Sequence, residues 1–148
     1  MLYTPHFLTG VAIMKLFPDP KIGLPLAFLS HFVLDLTPHN DFDLKPGITL
    51  REFFTFPKKR LLTILGVMSV DYLLSAISFL WILFHFHQFW LLAGGVAGVL
   101  PDLTEQILMI FGIALPGWQD KLQWRVSAKY GFISYPIISL LSLYILNI

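Results

Sequence analysis

At 148 residues the chain has room for one domain, spanning 1–148. With 56% hydrophobic residues, 13% charged residues and a mean hydropathy of +0.73, it lies outside the range of water-soluble domains and reads as an integral membrane protein. A formal net charge of +1 excludes a nucleic-acid surface, and the lack of cysteine excludes disulfides and thiolate metal sites.

Thr4-Pro5 pairs an N-capping residue type with the residue best suited to the first helical position, so a helix is expected from there to Phe17. The start of the chain has no basic segment and no small-residue cleavage pattern, so it reads as retained, with His6 in the mature protein. Pro18-Asp19-Pro20 makes a turn, and a second helix is expected over 22–36. Residues 37–57 are mixed, with Pro46-Gly47 and Pro57 as breakers and a segment around 50–56 suited to lie at an interface. A third helix is expected over 60–84; within 61–84 the one ionisable residue is Asp71, and the stretch exceeds the ~20 residues a spanning helix needs. A fourth is expected over 88–100, ending at Pro101-Asp102, a fifth over 103–115, broken at Pro116-Gly117, and a sixth over 128–147, kinked near its start by Pro136. The expected architecture is all-α: a membrane-embedded bundle of about six helices, several too short to cross a ~30 Å hydrocarbon core alone. Lys45, Arg51, Lys58, Lys59 and Arg60 share one side, which the positive-inside rule places in the cytoplasm, whereas Lys121, Arg125 and Lys129 pull the other way.

Into this apolar chain four metal-type ligands are concentrated within eleven positions: His31, Asp35, His39 and Asp41. His31 and Asp35 stand at i and i+4, on one helix face. Pro38 cannot continue the helix, so His39 and Asp41 fall on the loop that leaves it. Ionisable groups beside a membrane-like helix call for a counter-ion. The alternative is a helix end and polar loop at the membrane surface.

Helix geometry places further ligand types at the same depth. His6 lies 13 residues before Asp19, at the centre of the first turn, and His31 lies 12 after it, so both stand ~18–20 Å from that turn. Asp71 lies 16 residues before His87, near the second turn, and Asp102 lies 15 after, ~23–24 Å away. Asp35 sits near a helix C-terminus, where a carboxylate needs a cation, and His6 sits in a first turn, which favours the neutral, metal-binding imidazole. Asp71 inside an apolar helix needs the same relief, although a proton-carrying or helix-pairing role is open to it. His6 could equally be an interfacial residue, and Asp102 an N-cap for the fifth helix with Glu105 completing a capping box. His85 and His87 lie at the opposite end and read as part of an aromatic interface belt, and the Trp118 and Trp124 region, with Lys121, Arg125 and Lys129, reads as an interfacial or head-group-facing segment.

The pieces Thr4-Pro5-His6 with Gly10, Ser30-His31…Asp35…Pro38-His39-Asn40-Asp41, and Gly98-Val99-Leu100-Pro101-Asp102 resemble, in order and spacing, the bacterial inner-membrane-associated metal-dependent hydrolases. The resemblance covers roughly the first two-thirds of the chain. It implies that His6, His31, Asp35, His39, Asp41 and Asp102 are the family's polar positions, with Asp71 fitting the same scheme, and that the protein resides in a bacterial inner membrane. Family members often carry a further histidine motif after the Pro-Asp helix; residues 117–130 here hold none. The His31–Asp35 pair is also similar to one in the zinc-dependent phospholipase C and nuclease group, which suggests phosphoester hydrolysis.

The expected function is metal-dependent hydrolysis of an ester or phosphoester at the membrane, on a lipid-derived or other small-molecule substrate. His6, His31, Asp35, His39, Asp41, Asp71 and Asp102 form the ligand set for a divalent ion, with Glu105 or Asp43 as general base. Imidazole with carboxylate suits Zn²⁺ or Mn²⁺. The alternative is a non-enzymatic membrane protein whose polar cluster carries ions or protons or holds a structural metal.

Overall fold

The computed structural model describes residues 2–42, 44, 48–113 and 123–148. Over them the chain is helical and has no strand, apart from one isolated bridge between His39 and Arg125. The helices are α1 (Tyr3–Leu16), α2 (Pro20–Asp35), the single turn α3 (Leu50–Phe53), α4 (Lys58–Phe86), α5 (Phe89–Ile110), the single turn α6 (Ala128–Gly131) and α7 (Ser134–Asn147).

The hub is α1, which packs against α2, α4, α5 and α7. A helix apolar on every face must be covered on every face, and Phe7, Leu8, Val11, Ala12 and Met14 are all buried. They join Ile82, Leu91, Leu92, Val99 and Leu146 in one core. Glycines let α1 and α5 approach backbone to backbone: a Cβ on Gly10 would stand 2.2 Å from the Gly94 carbonyl oxygen, and one on Gly98 would stand 2.5 Å from that of His6.

Several helix ends differ from the expectation. Asp19, not a later residue, starts α2: its carboxylate accepts the Lys21 N–H at 2.9 Å and Pro20 takes the first helical position. Thr4 is not the N-cap of α1, because Leu2 occupies that place and offers no side-chain cap. Within the segment expected at an interface, Leu50–Phe53 form one turn of helix, closed by the Thr49–Glu52 capping box. The break at Pro101-Asp102 is absent. Residues 89–110 form one helix with Pro101 inside it, so the expected fourth and fifth helices are a single α5. It ends instead at Gly112, whose φ of +69° and bonds from Gly112 N–H to Met109 and Ile113 N–H to Leu108 make a Schellman motif. The expected sixth helix is divided into α6 and α7.

By length and composition, α4 is the one helix among the described residues able to cross a membrane. Its 29 residues extend ~43 Å, and only 11% of its most apolar window is buried inside the fold.

Candidate metal centre

Four side chains from three helices converge at the end of the bundle away from both hairpin turns. His6 comes from the first turn of α1, His31 and Asp35 from the last turns of α2, and Asp102 from the middle of α5. The imidazoles of His6 and His31 stack, with centroids 4.1 Å apart, as their equal distance from the first turn requires. His6 Nε2 lies 3.4 Å from Asp35 Oδ1 and 4.0 Å from Asp102 Oδ2. His31 Nε2 lies 3.4 Å from Asp35 Oδ2 and 3.6 Å from Asp102 Oδ1. Ligand atoms of His6, His31 and Asp102 all fall within 4.8 Å of one another. His6, His31 and Asp35 are buried, and the Asp102 side chain is 15% exposed.

The tautomer of His31 decides what this cluster needs. Its Nδ1 lies 3.1 Å from the Gly98 carbonyl oxygen, and a carbonyl can only accept, so Nδ1 carries the proton. In the neutral ring, Nε2 is then a bare lone pair facing the oxygens of Asp35 and Asp102, which are acceptors themselves. Neither ring nitrogen of His6, nor Asp102 Oδ2, has a hydrogen-bond partner among the described residues. Buried acceptors aimed at one point demand a cation or shared protons. The donor set suits a divalent ion: tetrahedral bonds of ~2.0–2.2 Å set ligand atoms about 3.3–3.6 Å apart, and the nitrogen–oxygen separations here run from 3.4 to 4.0 Å. The His31–Gly98 bond is the outer contact that fixes ring orientation in such sites.

Asp71 takes a different part. Its Oδ2 accepts the Tyr3 N–H at 2.6 Å and its Oδ1 the Thr4 N–H at 3.1 Å, while the Thr4 hydroxyl donates to the Asp71 carbonyl at 3.0 Å. The carboxylate expected as a ligand thus caps α1 from across the bundle, supplying the N-cap that Leu2 lacks. Asp102 shows the reverse. Expected to serve equally well as a cap, it lies inside α5, where no helix begins, and its carboxylate is left for the cluster.

The loop ligands do not join the four. Asp41 Oδ2 accepts Arg125 Nε at 2.6 Å, so a guanidinium occupies the place expected of the metal. His39 is fully buried. Its Nδ1 donates to the Thr37 carbonyl at 2.9 Å, leaving Nε2 without a partner among the described residues. Burial holds this imidazole below its usual pKa, against the opposing pull of the Thr37 carbonyl and the Asp35 and Asp41 carboxylates. Asp43 lies outside the described residues. Glu105 stands one turn beyond Asp102 and, with Asp35, Asp102, His31 and Gln123, lines a cavity with room for about one water molecule. His85 stacks on Trp81 at the far end of α4, away from the cluster.

Residues 123–126, an interfacial stretch by sequence, close the site. Trp124 N–H donates to the Asp35 carbonyl at 3.1 Å, His39 N–H to the Trp124 carbonyl at 3.1 Å, and Val126 N–H to the His39 carbonyl at 2.9 Å. Gln123 thereby reaches the cavity. The carbonyl of Gly98 was equally missed as the acceptor that orients His31. The one available signal was the glycine spacing 94, 95 and 98 opposite Gly10.

Comparison with known proteins finds no matching family model, no matching curated protein and no matching solved structure. The chemistry of the site is accordingly read from its own donors: the imidazoles of His6 and His31 and the Asp102 carboxylate, able to chelate one metal ion, with the Asp35 carboxylate beside both rings.

Proposed function

We propose that the chain is a multi-pass membrane protein of the bacterial inner membrane, related to the metal-dependent hydrolases it resembles, which cleaves an ester or phosphoester. The observation that carries this reading is the His31 lone pair, fixed by Gly98 and facing two carboxylates beside His6, whose ring nitrogens make no hydrogen bond among the described residues. His6, His31, Asp35 and Asp102 would hold the ion, Zn²⁺ or Mn²⁺ by donor chemistry. A bound ion of this kind lowers the pKa of a coordinated water and polarises an ester oxygen. Glu105, on the wall of the adjoining cavity, is placed to accept the proton, and the 123–126 segment limits the entry of bulk water.

Membrane residence is supported by what the fold leaves uncovered. Leu73, Phe84, Phe111 and Leu140 are each at least 60% exposed, and α4 is too little covered to be the core helix of a soluble domain. The short α1 is sheltered among the other helices, so partial insertion costs it little unsatisfied backbone.

One observation favours a second reading. Four protein ligands would complete a tetrahedral site, as in structural zinc, and the adjoining cavity is small. Elemental analysis of the detergent-purified protein beside a His31→Ala/Asp35→Ala variant tests both. Stoichiometric metal lost in the variant supports the site, and turnover of ester or phosphoester substrates by the loaded protein separates catalytic from structural metal. Absence of metal in both, after reconstitution with each ion, overturns the hydrolase reading and leaves a cluster held together by protons.

A further inference from the structure

A second concavity lies on the far side of the 123–127 segment. It is an open groove of about 860 Å³ between the start of α4, the loop after α2 and residues 125–127. Lys59, Arg60 and Arg125 line it together with the polar side chains of Asn40, Thr63 and Ser127, and none of the described residues lining it is acidic. Arg60 is held in place: its guanidinium stands 4.2 Å from the Phe56 ring centroid and donates to the Phe42 carbonyl at 2.7 Å, which uses one of its five N–H donors. Arg125 is fixed by Asp41 and by the Leu44 carbonyl at 3.0 Å. Phe42, on the same wall, adopts φ +62°, a conformation bulky residues avoid, supported by the Asn40 side chain accepting its N–H at 3.2 Å.

Lys59 and Arg60, beside an Arg125 whose charge Asp41 already balances, together with hydroxyl and amide groups match a multiply charged, three-oxygen anion better than a single carboxylate. Arginine offers planar pairs of donors and lysine a mobile point charge. The same groove faces the first turn of α4, where Lys58, Lys59 and Arg60 follow one another with no acidic residue and no side-chain cap. Cations are disfavoured there by the helix dipole, and an anion in the groove would offset both charges at once.

The groove also adjoins the metal centre. Gln123 lines the cavity beside the cluster and Arg125 lines the groove, two residues or ~7 Å of extended chain apart. We infer that the groove is a phosphate-recognition site. Phosphate binding stands without the hydrolase reading; resting on that reading, it narrows the substrate to a lipid or soluble ester that carries a phosphate.

The test uses the full chain in neutral detergent, with fluorescent phosphatidic acid as probe and phosphatidylcholine of the same chain length as reference. Phosphatidic acid should bind at least tenfold more tightly than phosphatidylcholine. Lys59→Gln should weaken it roughly tenfold, the loss of one charge-assisted contact, and Lys59→Arg should restore it. Metal content should not change in either variant. Displacement by glycerol 3-phosphate or inorganic phosphate at concentrations comparable to the lipid's identifies a soluble phosphate ester; resistance to both identifies a lipid headgroup. Equal binding of the two lipids with no effect of either soluble competitor overturns the inference, as does wild-type binding by Lys59→Gln. The His31→Ala/Asp35→Ala protein separates the two proposals: it should lose metal and keep phosphatidic acid, and its loss of both while still folded counts against an independent groove.

Discussion

The Asp71 carboxylate accepts the backbone N–H of Thr4, two residues before His6, and so ties the middle of α4 to the helix that carries the buried histidine. Removing it leaves two N–H groups at the start of α1 without acceptors, each in a half-buried or buried setting. Asp71→Ala is therefore expected to lower stability by about 1–3 kcal/mol and to weaken metal binding only indirectly. Asp71→Asn, which keeps one acceptor oxygen, should retain most of both. Thermal unfolding and metal titration of the two variants check this. Loss of metal in Asp71→Ala with no loss of stability would mean that Asp71 ligates after all.

A methyl group at Gly98 cannot be accommodated without moving α1, since it would stand 2.5 Å from the His6 carbonyl oxygen. Gly98→Ala should cost about 1–3 kcal/mol through overpacking and should also weaken metal binding, because the Gly98 carbonyl orients His31. Gly66, around whose Cβ position nothing lies within 4 Å, provides the contrast. Gly66→Ala should gain roughly 0.5–1 kcal/mol and leave metal affinity alone. Paired unfolding and metal-binding curves decide the matter; equal behaviour of the two alanines would refute the packing account.

These two residues also show how far the sequence could be read. Counting residues from the turn brought His6 level with His31, because helical rise is constant and the hairpin is tight; the stacked rings follow from it. The function of Asp71 was not legible. An acidic residue within an apolar helix signals only that something must compensate it, and backbone N–H groups across the bundle serve as well as an ion. Pro101-Asp102 misled for a different reason: the pair carries the features of a helix stop and a new cap, yet α5 continues through it. Proline removes one N–H, but in apolar surroundings breaking the helix would leave several more backbone groups unsatisfied. The Arg125–Asp41 pair joins two loops 84 residues apart, and no periodicity connects them.

Glu105 is the residue whose replacement separates chemistry from binding. It lines the cavity beside Asp102 without belonging to the His6, His31 and Asp102 cluster. On the proposed reading, Glu105→Gln should keep stoichiometric metal and lower turnover by about 10²–10⁴-fold, the range for a lost general base. Metal content and the rate on a phosphoester substrate must be measured on the same preparation. A variant that loses its metal would place Glu105 among the ligands, and one with undiminished rate would remove it from the mechanism.

His39 supplies a pH dependence separate from the metal. Burial is the largest influence on its imidazole and depresses its pKa in the folded protein. The unfolded chain therefore takes up a proton first, at about pH 6.5, while the folded chain resists it. The stability contributed by neutral His39 is complete above that pH and declines as pH falls through the lower folded value. Chelator-treated protein should consequently unfold at lower temperature at pH 5 than at pH 7.5, with His39→Gln, which cannot titrate, showing a shallower decline. The difference between the two slopes isolates His39, because His6, His31 and the carboxylates are common to both proteins. Parallel slopes would mean that the buried Nε2 is not what resists protonation in the folded state.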